Sequence, residues 1–384
     1  MMDRGRITEV LKEYQPDRIK VGALAGDAAL GIADGAVEEG FRTIIFCEKG
    51  REKTYATYFK SLRVGGRILR GAVDGVVVYE KLSEIMSQES QMKLRGDNVI
   101  LVPNSALTNC VAPENVEDGF EVPILGSRNL LRTEMREDGK KYYELLDRAG
   151  LPHPQPVAHP KDIESLVIVK LNGLEREGGQ LLFTAGSSKE YTEKSNVLIK
   201  KGRITKQDLK QARIEKYIIG PVFDIDFFYS PLEHENEKLE LLGASRRFET
   251  SIDGHARLPA LQQITLNDEQ KVPEYATCGH GTATLSEGIL DGAFQMGEKY
   301  VGTAKELYPP GIIGAFCLRV CIDKDLAFHI RGAFPYVSDG TGISAWAGHP
   351  YGNMLWRRNM STGRRTAMEL RRAIEMDRLG EIIT

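Results

Sequence analysis

IKVGALAGDAALGIADGAVEEGFRTIIFCE, residues 19–48, places two apolar runs around a glycine-rich turn and a helix-forming stretch. IKVGAL reads as a strand, ADGAVEEG as a helix and RTIIFCEKG as a second strand. That order is the crossover that joins parallel strands. Runs that are apolar throughout, rather than alternating, fit a sheet covered on both faces. The turn after the first strand is where many α/β proteins hold a phosphate, but its spacing is wrong for that. Gly22, Gly26 and Gly31 do not make G-x-G-x-x-G, and no Lys-Ser or Lys-Thr follows as in a P-loop. Asp27 stands at the expected helix start, where it suits a cap and opposes a second anion.

The rhythm continues outward. Residues 3–15 read as an amphipathic helix, DGVVVYE as a strand, LSEIMSQESQMKL as a helix and NVILVPNSA as another strand. It runs to about residue 124 as an α/β unit. After Gly126 the character becomes α+β: a charged helix, two strands around 167–183, a helix at 205–213 and the strand FDIDFFYS. LELLGASRRFETSIDG then continues the β pattern, a helix covers 286–307, and GIIGAFCLRVCIDKDLAFHIRGAF is a second hairpin. A terminal helix over 361–383, with Thr362 as its cap, closes the chain. At 384 residues the chain can hold two or three domains with a sizeable core. Its net charge of −3 leaves no general basic field for nucleic acid. No run of about 18 apolar residues exists to span a membrane. The polar start is no signal peptide, and five cysteines without a C-x-x-C pair read as reduced thiols, so a cytoplasmic setting is expected. Cys47, Cys317 and Cys321 sit in apolar runs and read as core.

Three stretches could carry chemistry. In VIVKLNGLEREGGQLLF (167–183), Lys170 ends an apolar strand and the next strand follows Gly178-Gly179. A strand-end lysine can bridge phosphate oxygens, and a glycine loop over 172–180 can close on a nucleotide; alone, such a lysine is more often exposed to solvent. In RIEKYIIG (213–220), a short strand and turn offer backbone groups to an adenine, and Glu215 can accept from a ribose; alone, it is an ordinary edge strand. Together, in this order, they outline a nucleotide site of Lys170, Gly173, Gly178, Gly179, Glu215, Tyr217 and Ile218. RRFETSIDGHARLPA (246–260) gathers arginines suited to a phosphate, or else a solvated strand face with cross-strand ion pairs. No histidine has metal-ligand spacing, HENE is not H-E-x-x-H, and there is no G-x-S-x-G.

Longer strings are more specific. EEGFRTI with KGR (38–51), PENVED with VPILGSRNLLR (113–132), EKYIIG with FFYSPL (215–232), ELLGASRRFETSIDG with RLPA (240–260), KELYPPGIIGAFCL (305–318) and the final LGEIIT resemble, over nearly the whole chain, the archaeal formate-dependent synthetases of formylaminoimidazole-carboxamide ribotide. These are ATP-grasp ligases of purine biosynthesis. The resemblance implies an ATP-grasp fold: an N-terminal α/β domain over 1–125 that faces the substrate, grasp lobes over 126–345, and a C-terminal helix over 346–384 packed on the lobes. It implies ATP as cofactor, activation of formate as formyl phosphate, and capture by a ribotide amine. The implied substrate positions are Asp27, Asn104, Ser105, Arg247 and Ser251. Several of them depart from the family: Asp27 replaces a histidine, Asn104-Ser105-Ala106 replaces a glycine and serine, and Ser251 replaces an asparagine. At the metal positions, Arg319 and His329 stand where the family has an amide or acid and a glutamate, which argues against Mg²⁺. The hinge acid before the tyrosine is Lys216. Such changes leave two functions open: a ligase acting on the ribotide or another acceptor, or a fold-retaining relative without ATP–Mg catalysis that performs another small-metabolite step or serves as a noncatalytic subunit. The expected partners are a phosphorylated or carboxylated amine and further copies of the chain, with neither nucleic acid nor membrane.

Overall fold

The computed structural model describes residues 4–134, 140–176, 179–267, 270, 277–338 and 350–384. Its strands are β1 Lys20–Leu24, β2 Arg42–Glu48, β3 Leu62–Val64, β4 Arg67–Arg70, β5 Gly75–Tyr79, β6 Val99–Leu101, β7 Val167–Arg176, β8 Gly179–Ala185, β9 Arg213–Lys216, β10 Val222–Tyr229, β11 Leu239–Glu249, β12 Thr277–Ala283, β13 Gly314–Ile322 and β14 Phe328–Phe334. β5-β2-β1-β6 form a parallel sheet, with Lys20 to Leu24 of β1 opposite Arg42 to Phe46 of β2. The crossover between β1 and β2 is the helix Ala29–Glu38, as the opening stretch suggests. Asp27 does not cap it. The capping residue is Ala28 with no side-chain bond, and Asp27 is exposed at the turn.

One face of this helix is nearly all small residues, and its partner is the helix Thr362–Glu375. A Cβ on Gly35 would lie 2.1 Å from the Arg364 nitrogen, and one on Gly363 would lie 2.1 Å from the Gly31 carbonyl oxygen. Only glycine at both positions lets the backbones approach so closely. Arg364 adds bonds to Glu39 (2.9 Å) and to Glu38. The C-terminal helix therefore packs chiefly on the N-terminal half, not on the lobes alone. Its cap is Ser361, whose hydroxyl accepts from the Arg364 N–H at 3.1 Å, rather than Thr362. It also reaches the five-stranded sheet through Arg365. That side chain is fully buried, forks onto Glu240 (2.7–3.0 Å), bonds Glu369 at 2.8 Å and lies over Phe228 and Trp356.

The second half holds two antiparallel sheets, β12-β11-β10-β13-β14 and β8-β7-β9. In the larger sheet, alternation sorts the residues by face. Ile225, Phe227, Phe316, Leu318 and Val320 pack with Met296, Tyr300 and Ala304 of the helix Leu290–Leu307. The next residues along, Asp224, Asp226, Cys317 and Arg319, occupy the opposite face. Two sequence expectations change here. LELLGASRRFETSIDG is strand only to Glu249, and Thr250–Arg257 is helical. The expected loop over 172–180 is largely strand: β7 runs to Arg176 and β8 starts at Gly179, with Glu175 opposite Gln180. Gly178 lies outside the described residues. The buried Cys47, Cys317 and Cys321 are core thiols, as expected. No helix among the described residues is long and apolar enough to cross a membrane.

Candidate active site

β7 and β9 are neighbours, with Ile168 opposite Glu215 and Lys170 opposite Arg213. Lys170 Nζ sits 2.7 Å from Glu215 Oε2, and Arg213 and the Tyr143 hydroxyl also bind this carboxylate. The Arg213 guanidinium lies 4.8 Å over the Tyr143 ring, which meets His153 at 4.2 Å with the rings tilted by 32°. Glu215 is fully buried. Its carboxylate is already engaged by Lys170, Arg213 and Tyr143. Burial pushes the Lys170 ammonium down to about 7; Glu215 opposes this, while Arg213 and Arg331 add to it. Burial raises Glu215, yet Lys170 and Arg213 outweigh it and hold the carboxyl below its usual range. Gly173 and Gly179 lie in the β7–β8 ribbon. Tyr217 and Ile218 follow β9; the Tyr217 N–H donates to Leu166 O at 2.9 Å, so that group is already engaged.

The larger sheet carries a second charged cluster on its polar face. Asp224 is opposite both Arg319 on β13 and Ser245 on β11. Arg319 grips Asp224 with two bonds, at 2.6 and 3.1 Å, and lies 4.5 Å over Phe334. Arg247 adds a third at 3.1 Å. Burial pushes Asp224 up, but the two arginines outweigh it and hold the carboxyl at about 2. Its neighbour Asp226 moves the other way: burial, with Asp224 alongside, raises it well above the carboxylate range. Arg331, on β14, acts electrostatically on both Lys170 and Glu249. The floor then runs into the parallel sheet. Ser338 donates to Asp226 at 3.1 Å, and the adjacent Val337 N–H donates to Pro103 O at 3.3 Å. Beside Pro103, Asn104 is fully buried, donates to Leu24 O at 2.8 Å and leaves its Oδ1 without a partner among the described residues. A Cβ on Gly26 would lie 3.9 Å from Asn104, so Asp27, Asn104 and Ser105 share the C-terminal edge of the parallel strands.

The expected substrate residues thus come together in part. Arg247 joins the crevice through Asp224. Ser251 bonds His255 at 3.2 Å within its own helix. At the expected metal positions, Arg319 is committed to Asp224, and His329 bonds Asp323 at 2.8 Å in its own hairpin. Among the described residues no cluster of three or more histidine, cysteine or acidic side chains could hold a metal. Sequence reading missed Asp224, Asp226, Arg213 and Arg331. The first two carried a signal: acids two apart in the apolar strand FDIDFFYS must share a face.

The proteins this geometry resembles are consistent with one another. The family described as "Domain of unknown function (DUF1297)" matches residues 190–384, and "Protein of unknown function (DUF1246)" matches 21–157. The 5-formaminoimidazole-4-carboxamide-1-(beta)-D-ribofuranosyl 5'-monophosphate synthetase of Methanothermobacter thermautotrophicus is 35% identical over 100% of this chain and 99% of its own. The chain belongs to this synthetase family. The Methanocaldococcus jannaschii synthetase is 36% identical over the full length of both chains. Among solved structures, the IMP biosynthesis protein PurP from Thermococcus kodakaraensis superposes with TM-score 0.68 and 28% identity, covering 95% of this chain and 100% of that one. N5-carboxyaminoimidazole synthetase from Staphylococcus aureus, complexed with ADP, superposes at TM-score 0.54 over 91% of this chain and 76% of that one; at 11% identity it speaks for the fold alone. The synthetase fold is the ATP-grasp fold anticipated from the sequence.

Proposed function

We propose that this synthetase homologue is an ATP-dependent carbon–nitrogen ligase that activates formate as formyl phosphate and passes the formyl group to the amine of a ribotide or a related acceptor. Full-length relatedness to the named synthetases supports the ligase over a noncatalytic role. The single observation that carries the nucleotide reading is the buried Lys170–Glu215 pair, with Arg213 on the same carboxylate. Buried ammonium and guanidinium groups fit a polyphosphate. ATP, when bound, supplies the phosphoryl group for formate. Lys170 and Arg331 would hold its phosphate oxygens, with Glu215 fixing Lys170, and the ends of β7 and β9 near Tyr217 and Ile218 would border the base. We assign the N-terminal unit, residues 1–125, to the acceptor and 126–345 to the nucleotide. Asn104 Oδ1 is a buried acceptor that an amine N–H would satisfy, and Asp27 at the same edge would attract a positive or hydroxyl-rich group.

ADP formation should require formate and rise with aminoimidazole-carboxamide ribotide. Formate-dependent turnover that ignores the ribotide would point to another acceptor, and no formate dependence would end the ligase reading. Lys170→Ala should weaken ATP by about 1–3 kcal/mol, the range for removing a charged hydrogen-bond partner; an unchanged dissociation constant in calorimetry would contradict its role. A pH dependence follows as well. The free site loses its Lys170 proton as pH rises through about 7. A polyphosphate favours the ammonium, so binding at about pH 8 should draw a proton from the buffer, and affinity should fall toward about pH 9. Equal binding heats in two buffers of different ionisation enthalpy would contradict this.

A further inference from the structure

The crevice is built for anions, not for a metal. Lys170 and Arg213 pair with Glu215, Arg247 and Arg319 pair with Asp224, and the charge of Arg331 is felt at both Lys170 and Glu249. Asp224, which lies centrally on the polar face of the larger sheet, is taken by two guanidinium groups at 2.6–3.1 Å. A divalent ion seeking that carboxylate would meet both arginines within a few ångströms, and like charges at such range repel at any interior dielectric. Mg²⁺ needs oxygen ligands in near-octahedral array, and no cluster of three or more ligating side chains exists among the described residues. Arg319 lies 4.5 Å over Phe334 and is oriented by its two bonds to Asp224 before any ligand arrives. The side chains of Arg247 and Arg319 stay 26% and 16% exposed, so both remain within reach of a ligand.

We infer that this crevice takes the polyphosphate of its nucleotide on Lys170, Arg247, Arg319 and Arg331 in place of a divalent ion, with Arg319 supplying at Asp224 the positive charge that a metal would bring. The inference rests on the reading of the crevice as a nucleotide site. A guanidinium suits the role because it is always charged and has five N–H donors: with Nε and Nη2 of Arg319 on Asp224, its remaining N–H groups are left for phosphate oxygens.

The test is calorimetric titration of the full chain with ATP in excess EDTA and again in excess Mg²⁺. Linked sites usually couple by about 5–150-fold, so the two dissociation constants should agree within about fivefold. Arg319→Lys keeps a charge and loses the fork, and should weaken binding in EDTA by about tenfold or more. ATP that binds only with Mg²⁺, or unaltered binding by the lysine variant, overturns the inference and leaves the nucleotide reading intact. No ATP binding in either solution overturns both.

Discussion

Asp224→Asn should destabilise the fold by about 3–5 kcal/mol, the cost of breaking a buried ion pair from one side. The amide keeps the volume and removes the charge that two guanidinium groups share. Arg247 and Arg319 would then face each other with no anion between them, in a place that is largely desolvated. The loss should be reversible by ligand: tripolyphosphate should restore much of the midpoint of thermal unfolding in the variant and raise it less in the wild type, because anything that binds only the folded state stabilises it. An unchanged midpoint for the variant would show that the arginines do not depend on Asp224. The sign with pH follows from the same pair. The Asp224 carboxyl is held at about 2 against an ordinary 3.8. Its contribution is therefore complete above the ordinary value and is lost as pH falls through about 2.

Arg365→Met should cost a comparable amount, about 3–5 kcal/mol, further along the same sheet, where Glu240 lies opposite Phe228. Arg365 neutralises Glu240 and Glu369 in a site with no exposure, and Ser230 and Trp356 complete the shell with bonds of 2.5 and 2.8 Å. Methionine fills much of the space and leaves two carboxylates buried together. The triple variant Arg365→Met, Glu240→Leu, Glu369→Leu should recover most of the loss, since a well-packed apolar replacement of a buried ionic cluster is often neutral or stabilising. Urea unfolding of the single and triple variants separates these outcomes. A triple variant less stable than the single one would mean that the network holds the helix in register in a way that packing alone does not.

How much the sequence disclosed depended on the range of the interaction involved. β1, the following helix and β2 are local and periodic, and were legible from residues 19–48. Lys170 was legible because a lysine ends an apolar strand. Its partnership with Glu215 was not, because that contact depends on β7 pairing with β9 across more than forty residues. Nothing local announces that Lys170, Arg213 and Tyr143 will close around Glu215. The helix Thr250–Arg257 was missed because TSIDGHAR has weak helix formers, and the apolar, arginine-rich run before it favoured a strand. Arg319 was visible as a departure from a family pattern, but the carboxylate it would find became apparent only when β10 and β13 were seen side by side.

The glycine crossing between Ala29–Glu38 and Thr362–Glu375 also bears on synthesis at the ribosome. Glu39 and Arg364, which seal that crossing, are 325 residues apart in the chain. At about 5–20 residues per second, the first helix waits roughly 15–65 s for its partner to be made. Through that interval the parallel sheet is translated but one covering layer is absent, and the face that will receive Gly363 is open to water. The layer that covers this face of the nascent amino-terminal unit is thus complete only when the last helix arrives.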